Sequence, residues 1–175
     1  IVIFIFRSQN TFLYLQIILL LGQAFLMPPI RKLGDTSRQL PLRNISKQIL
    51  YSRQGGETLA MIGIRKPSLH FYTKQIVFYE SSDKEGVINL FERFNFDRRI
   101  NFQDKPNYDN EYFLVVIDKY SSKKEHWSNI DHEKLGSYGI YNLWRIKKRD
   151  LNSKAIDLLS NGFESSWRNR QVEKF

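Results

Sequence analysis

Cysteine is absent from all 175 residues, which excludes a disulfide framework, a thiolate metal site and a lipid-modified cysteine anchor. Acidic residues are absent before Asp35, and Arg7 is the only charge before Arg31, so the opening of the chain is no solvated surface segment. A zinc helix motif is missing too: His70, His126 and His132 are scattered, and the run His126, Asp131, His132, Glu133 holds no i, i+4 histidine pair. Gly55-Gly56 lacks the lysine and helix of a phosphate cradle and reads as a turn, while no serine sits in a nucleophile elbow. Internal repeats and low-complexity tracts are also lacking.

What is present is an apolar head on a basic body. Of the 27 basic residues 26 follow Ile30, as do all 18 acidic ones, and the formal net charge is +9. Such a body attracts an anionic membrane surface or a nucleic acid. The head reads IVIFIF, then the polar Arg7-Ser8-Gln9-Asn10, then an apolar stretch from Thr11 to Ile30. A span needs roughly 20 apolar residues to cross about 30 Å of hydrocarbon, and 11–30 has that length. Gln16 and Gln23, seven apart, share roughly one helical face, where a neighbouring helix would meet them. A signal peptide fits less well, because no basic cluster precedes the apolar core and the run continues past the Gly22-Gln23-Ala24 site. Residues 1–6 resemble the end of a preceding span joined by a tight loop, as in a helical hairpin. The expectation is therefore a truncated helix at 1–6, a transmembrane helix at 11–30 ended by Pro28-Pro29, a soluble domain at 38–162 and a tail at 163–175. Arg31, Lys32 and Arg38 outweigh Arg7, which by the positive-inside tendency leans the body toward the cytoplasm.

The body alternates helical and strand patterns. A stripe of Leu42, Ile45, Ile49 and Leu50 predicts a helix from Pro41 to Gln54. Leu59 to Ile64 and Gln75 to Tyr79 predict strands, with a short helix opening at Pro67 or Ser68 between them. Ser82 to Glu85 has capping-box spacing ahead of Val87, Leu90, Phe91 and Phe94. Residues 95–110 read as a surface loop. Glu111 to Tyr120 predicts a buried strand. Ser122 to Glu125 repeats the capping-box spacing, Tyr138 to Ile146 reads as a strand, and a last helix is expected from Leu151 to Asn161 with Asp150 as its cap. The fold class is thus α/β: a transmembrane helix, then a small mixed domain of about four strands with flanking helices.

Few residues invite chemistry. Asp118 ends the best strand, where α/β folds place active groups, although an acid there also fits an ordinary ion pair with Lys119, Lys123 or Lys124. Asn44-Ile45-Ser46 matches a glycosylation acceptor inside a predicted helix. Tyr138, Tyr141, Trp144, Arg145, Lys147, Lys148 and Arg149 mix aromatics with cations as single-strand nucleic-acid readers do. Behind an apolar head, that basic face better matches anionic lipid, at about 1 kcal/mol per basic residue, and nucleic acid is not the expected partner.

The stretch GETLAMIGIRKPSLHFYTKQIVFYES resembles part of the C-terminal soluble domain of bacterial membrane glycosyltransferases of the dolichyl-phosphate-mannose protein mannosyltransferase and aminoarabinose transferase type, the GT-C fold. Its motif residues here are Pro67, Ser68, Leu69, Phe71 and Tyr72, followed on a later strand by Tyr141, Leu143, Trp144 and Arg145. By themselves these are packing and turn signals: Ser68 can cap the short helix, and Phe71 and Tyr72 can fix it to the sheet. The resemblance implies an inner-membrane, multi-pass parent enzyme that moves a sugar from a polyprenyl-phosphate donor to a lipid or protein acceptor, with this body outside the cytoplasm. The family's catalytic carboxylate lies in its first extracytoplasmic loop, to which nothing here corresponds. No catalytic, cofactor or metal residue is therefore assigned, and any divalent metal would belong to the parent enzyme. The rival expectation is an independent single-span binding domain whose basic face meets an anionic partner.

Overall fold

The computed structural model describes residues 9–96 and 111–167 and separates into two units, Ile1–Leu40 and Pro41–Phe175. The hydrophobic run at 1–6 and the expected loop beyond Phe96 lie outside the described residues.

In the first unit, helix α1 spans Gln9–Gly34, followed by five residues of π-helix, Asp35–Gln39. Gln9 and Asn10, expected in a loop, already open the helix. Pro28 and Pro29 do not end it, because proline's fixed φ is itself helical; each ring forfeits one hydrogen bond and crowds the preceding turn without redirecting the chain. Apolar side chains from Phe12 to Leu33 are exposed. Among the described residues one helical stretch, Thr11–Ser52, is long and apolar enough to cross a membrane, with a mean hydropathy of 1.7 in its apolar window. A helix suits that role because its backbone groups bond internally.

The second unit is built on a five-stranded sheet, one strand more than the sequence predicts. Helix α2 (Leu40–Ser52) leads to β1 (Leu59–Ile62), α3 (Ser68–Thr73), β2 (Val77–Glu80), α4 (Lys84–Phe96) and β3 (Tyr112–Asp118). A 3-10 turn (Ser121–Lys123), α5 (Glu125–Ser128), β4 (His132–Tyr138), β5 (Tyr141–Lys147) and α6 (Lys148–Ser160) complete it. Sheet order is β2-β1-β3-β5-β4. The first three strands are mutually parallel, whereas β5 runs antiparallel to both β3 and β4.

Handedness explains the two layers. From β1 the chain steps one way to β2 and then back across β1 to β3, and right-handed connections put successive helices on opposite faces when that direction reverses. Accordingly Leu69 of α3 packs with Leu42, Ile45 and Ile49 of α2 on one face, and Val87, Ile88 and Leu90 of α4 pack with Leu151, Ala155 and Leu158 of α6 on the other. All four residues of β1 are buried, which is why it reads as a continuous apolar run.

Four local expectations need correction. The strand expected from Tyr138 to Ile146 is β5, the second arm of a hairpin that turns at Gly139 (φ 58°) and Ile140; the first arm, β4, escapes notice because it is a largely exposed edge with a register shift between Lys134 and Gly136, so no apolar alternation marks it. Leu50, assigned to the buried stripe of α2, is exposed. Helix α6 starts at Lys148, ahead of Asp150, with no side-chain cap, and ends where Gly162 (φ 83°) lets Phe163 N–H reach the Leu158 carbonyl and Gly162 N–H that of Leu159, a Schellman closure. Ser68 is the first residue of α3 behind Pro67 and makes no capping bond at that end.

Candidate functional site

Strand order reverses between β1 and β3, and in open α/β sheets the carboxyl ends of the strands at such a point form the ligand crevice. Gly63 and Asp118 stand there. Asp118 is buried; its Oδ1 accepts the N–H groups of Tyr120 (3.0 Å) and Ser121 (2.9 Å), and its Oδ2 accepts the Ser121 hydroxyl at 2.5 Å. A Cβ on Gly63, whose φ is +84°, would lie 2.3 Å from Asp118 Oδ2 and 2.8 Å from Ser121 Oγ. Glycine is thus required twice, for its backbone and for the carboxylate pressed onto it. Asp118 does not use the lysines expected as its ion partners; with backbone and hydroxyl donors it closes the turn after β3.

The neighbouring loop, Ser81 to Asp83, is clamped from the α5 side. Lys124 Nζ donates to Ser82 Oγ and Asp83 Oδ1, both at 2.8 Å, Trp127 Nε1 donates to the Ser82 carbonyl at 3.0 Å, and His126 Nε2 lies 2.7 Å from the same oxygen. The Lys124 hydrogen bond, then its charge, holds the Asp83 carboxyl below the usual range. Deeper in, Glu80 at the end of β2 is buried and takes Arg93 of α4 at 2.5 Å, with that guanidinium over the Phe78 ring.

The motif residues fall into two groups. Around α3, Leu69 is fully buried and Tyr72 packs against the same cluster, whereas Phe71 is exposed and touches Tyr72 edge-on. Phe71 therefore does not fix the helix to the sheet. Leu69 does, helped by Thr73 Oγ1 bonding the Leu69 carbonyl. On β5, alternation sends Tyr141, Leu143 and Arg145 to the α2 face and Trp144 to the opposite one, where it stacks on His132 at 3.8 Å. Tyr141 stands opposite Asp118 in register; burial, then the Asp118 charge, pushes its phenol up.

Arg145 is the centre of a buried ionic knot. Nε donates to Glu57 Oε1 at 2.8 Å, Nη2 to the Ser52 carbonyl at 2.6 Å and Nη1 to Glu133 Oε2 at 3.2 Å. Glu57 is 1% exposed and Arg145 9%. Burial alone would lower the guanidinium, but the hydrogen bonds and charges of Glu57 and then Glu133 outweigh it and raise it. One side chain thus joins the end of α2, the approach to β1 and both strands of the hairpin. Sequence inspection finds Arg145 but not Glu57 or Gly63; the signal available was a lone acid beside a glycine pair, and a glycine closing a buried strand.

The buried ions described here hold one another or the backbone. Among the described residues no group of three or more His, Asp and Glu side chains comes together to hold a metal ion. The glycosylation triplet is folded into α2, with Ser46 buried and bonded to the Leu42 carbonyl. A shallow depression of about 330 Å³ near α6 carries Asp131, Asp150 and Asp157, the last paired with Lys154 at 3.3 Å. A family model described as the C-terminal domain of cyanobacterial RgtA-type glycosyltransferases matches residues 52–162, which include the whole described sheet and the ionic knot. No curated protein and no solved structure matches the chain.

Proposed function

The chain belongs to the family of cyanobacterial RgtA-type glycosyltransferase C-terminal domains, and from that premise we propose that it is the carboxyl-terminal part of an integral-membrane enzyme moving a sugar from a polyprenyl-phosphate donor to a lipid or protein acceptor. The observation that supports this best is the order of parts: a helix long and apolar enough to span, then the family domain. In this reading the domain lies outside the cytoplasm and does not perform the transfer itself. A general base must present an available carboxylate or imidazole to the acceptor hydroxyl, and Glu57, Glu80 and Asp118 are buried and engaged with Arg145, Arg93 and the Ser121 turn. The base, the donor site and any divalent metal belong to the membrane portion of the parent, and the domain shapes the acceptor's approach.

Membranes carrying the full-length parent, supplied with a labelled polyprenyl-phosphate sugar, are expected to pass label to a lipid or protein fraction. Deleting 41–167 should lower that transfer while the membrane portion still extracts as a folded protein in detergent. Undiminished transfer by the deleted form would remove the domain from the reaction. Coding sequence ahead of Ile1 that lacks further apolar spans would remove the multi-pass parent.

A further inference from the structure

Three loops meet at the carboxyl edge of the parallel strands. The 63–67 loop follows β1, where Gly63 abuts Asp118. The 119–124 loop follows β3, and its Lys119 N–H bonds the Ile140 carbonyl of the hairpin turn at 2.8 Å. That turn in turn touches the first residue of the unit: a Cβ on Gly139 would lie 2.8 Å from Pro41. The edge exposes apolar side chains that the fold does not use, Ile64 at 37%, Tyr120 at 80% and Ile140 at 52%. The same segments carry Arg65, Lys66, Lys119, Lys123 and Lys124 and contain no Asp or Glu; Lys124 is paired at 2.8 Å with Asp83 of the adjoining loop after β2, and Asp118 just beside them is turned inward and buried.

We propose that this edge is a membrane-contacting surface, with Tyr120 and Ile140 entering the headgroup region and the lysines and arginine around them meeting anionic phosphate. Apolar tips ringed by cations match the interface of an anionic bilayer, where aromatic side chains settle and each basic residue gains from the surface potential. The second unit begins at Pro41, which is itself part of this edge. The opposite edge differs in kind: there Ser52 and Glu57 are engaged with Arg145.

The inference rests on reading α1 as a membrane span, and the test separates the two. Because the chain has no cysteine, single replacements Tyr120→Cys, Ile140→Cys and, at the far end of α2, Tyr51→Cys each carry one fluorophore. The full chain is reconstituted into vesicles of phosphatidylcholine with or without phosphatidylglycerol, some lipids bearing a headgroup-level quencher. The expected result is several-fold stronger lipid quenching at 120 and 140 than at 51, greater with phosphatidylglycerol and reduced by Arg65→Glu with Lys119→Glu. Equal quenching at all three positions in a chain that floats with the vesicles would overturn this proposal and leave the span intact. Positions 120 and 140 shielded from a water-soluble quencher but not quenched by lipid would overturn it in favour of a protein partner. A chain that does not float with vesicles would overturn both readings.

Discussion

Arg145 shows how one side chain can serve three elements at once. Its planar fork reaches Glu57, Glu133 and the Ser52 carbonyl together, which a lysine's single ammonium cannot reproduce. The two carboxylates are not equivalent partners. Glu133 is 64% exposed on its side chain, so its contribution is small, as for surface pairs generally. Glu57 is buried, and removing its cation strands a charge in a low-dielectric interior, at about 3–5 kcal/mol. Arg145→Met is therefore expected to lower stability by roughly that amount. Adding Glu57→Met should restore most of the loss, because two apolar groups leave no charge unpaired. Denaturant unfolding in detergent, followed by near-ultraviolet dichroism, checks this; a double variant as unstable as the sum of the singles would mean that packing around position 145 matters more than the pairing. Arg145 was legible as one of the cations mixed with aromatics and as the last residue of the family-like motif. Glu57 was not, since a contact 88 residues apart leaves no local periodicity.

At the scale of elements, legibility followed burial. Helices α2 and α4 announce themselves because their apolar faces repeat at the helical period, and strands β1 and β3 because burial on both faces makes each a short continuous apolar run. Edge strand β4 and the route through Pro28-Pro29 lack that signal, and so does the segment beyond Gly162, expected only as a tail of mixed composition. Residues 165–167 instead bind α4. The fully buried Asn89 accepts from Ser166 N–H (2.9 Å) and Trp167 N–H (3.1 Å) and lies 3.1 Å from Ser165 Oγ, while Ser165 Oγ and Trp167 Nε1 donate to Glu92 and Ser166 Oγ to Glu85. A single amide thus receives two consecutive backbone donors, a geometry that hydrophobic patterning cannot report. Asn89→Ala withdraws the acceptor, and loss of such buried bonds costs about 1–3 kcal/mol. The tail should then release while the sheet persists, making Phe163 and Trp167 faster sites of chymotryptic cleavage. Unchanged cleavage would show that Glu92 and Glu85 hold the tail without Asn89.

For the molecule as a whole, two phenols shape the response to pH on the alkaline side. Two tyrosines titrate above their ordinary range: Tyr141, raised by burial and then by the Asp118 charge, and Tyr79, raised by burial against a smaller opposing bond from the His70 backbone. Tyr79 also donates its hydroxyl proton to the Lys66 carbonyl at 3.0 Å, so ionisation would turn a donor into a charge facing an acceptor. In the unfolded chain both phenols ionise near 10. Between that value and the raised folded one, the folded state holds more protons than the unfolded, and stability falls as pH rises. The contribution is therefore complete below about pH 10 and lost above it. Net charge does not explain such a loss, because the chain is near neutral at its pI of about 9.7 and self-repulsion is then least. Tyr79→Phe with Tyr141→Phe is expected to lower stability at pH 7 slightly and to flatten the alkaline limb of the unfolding midpoint. If the limb keeps its slope in the double variant, the protons lost on unfolding come from another group, and the two phenols do not set the upper pH limit of this fold.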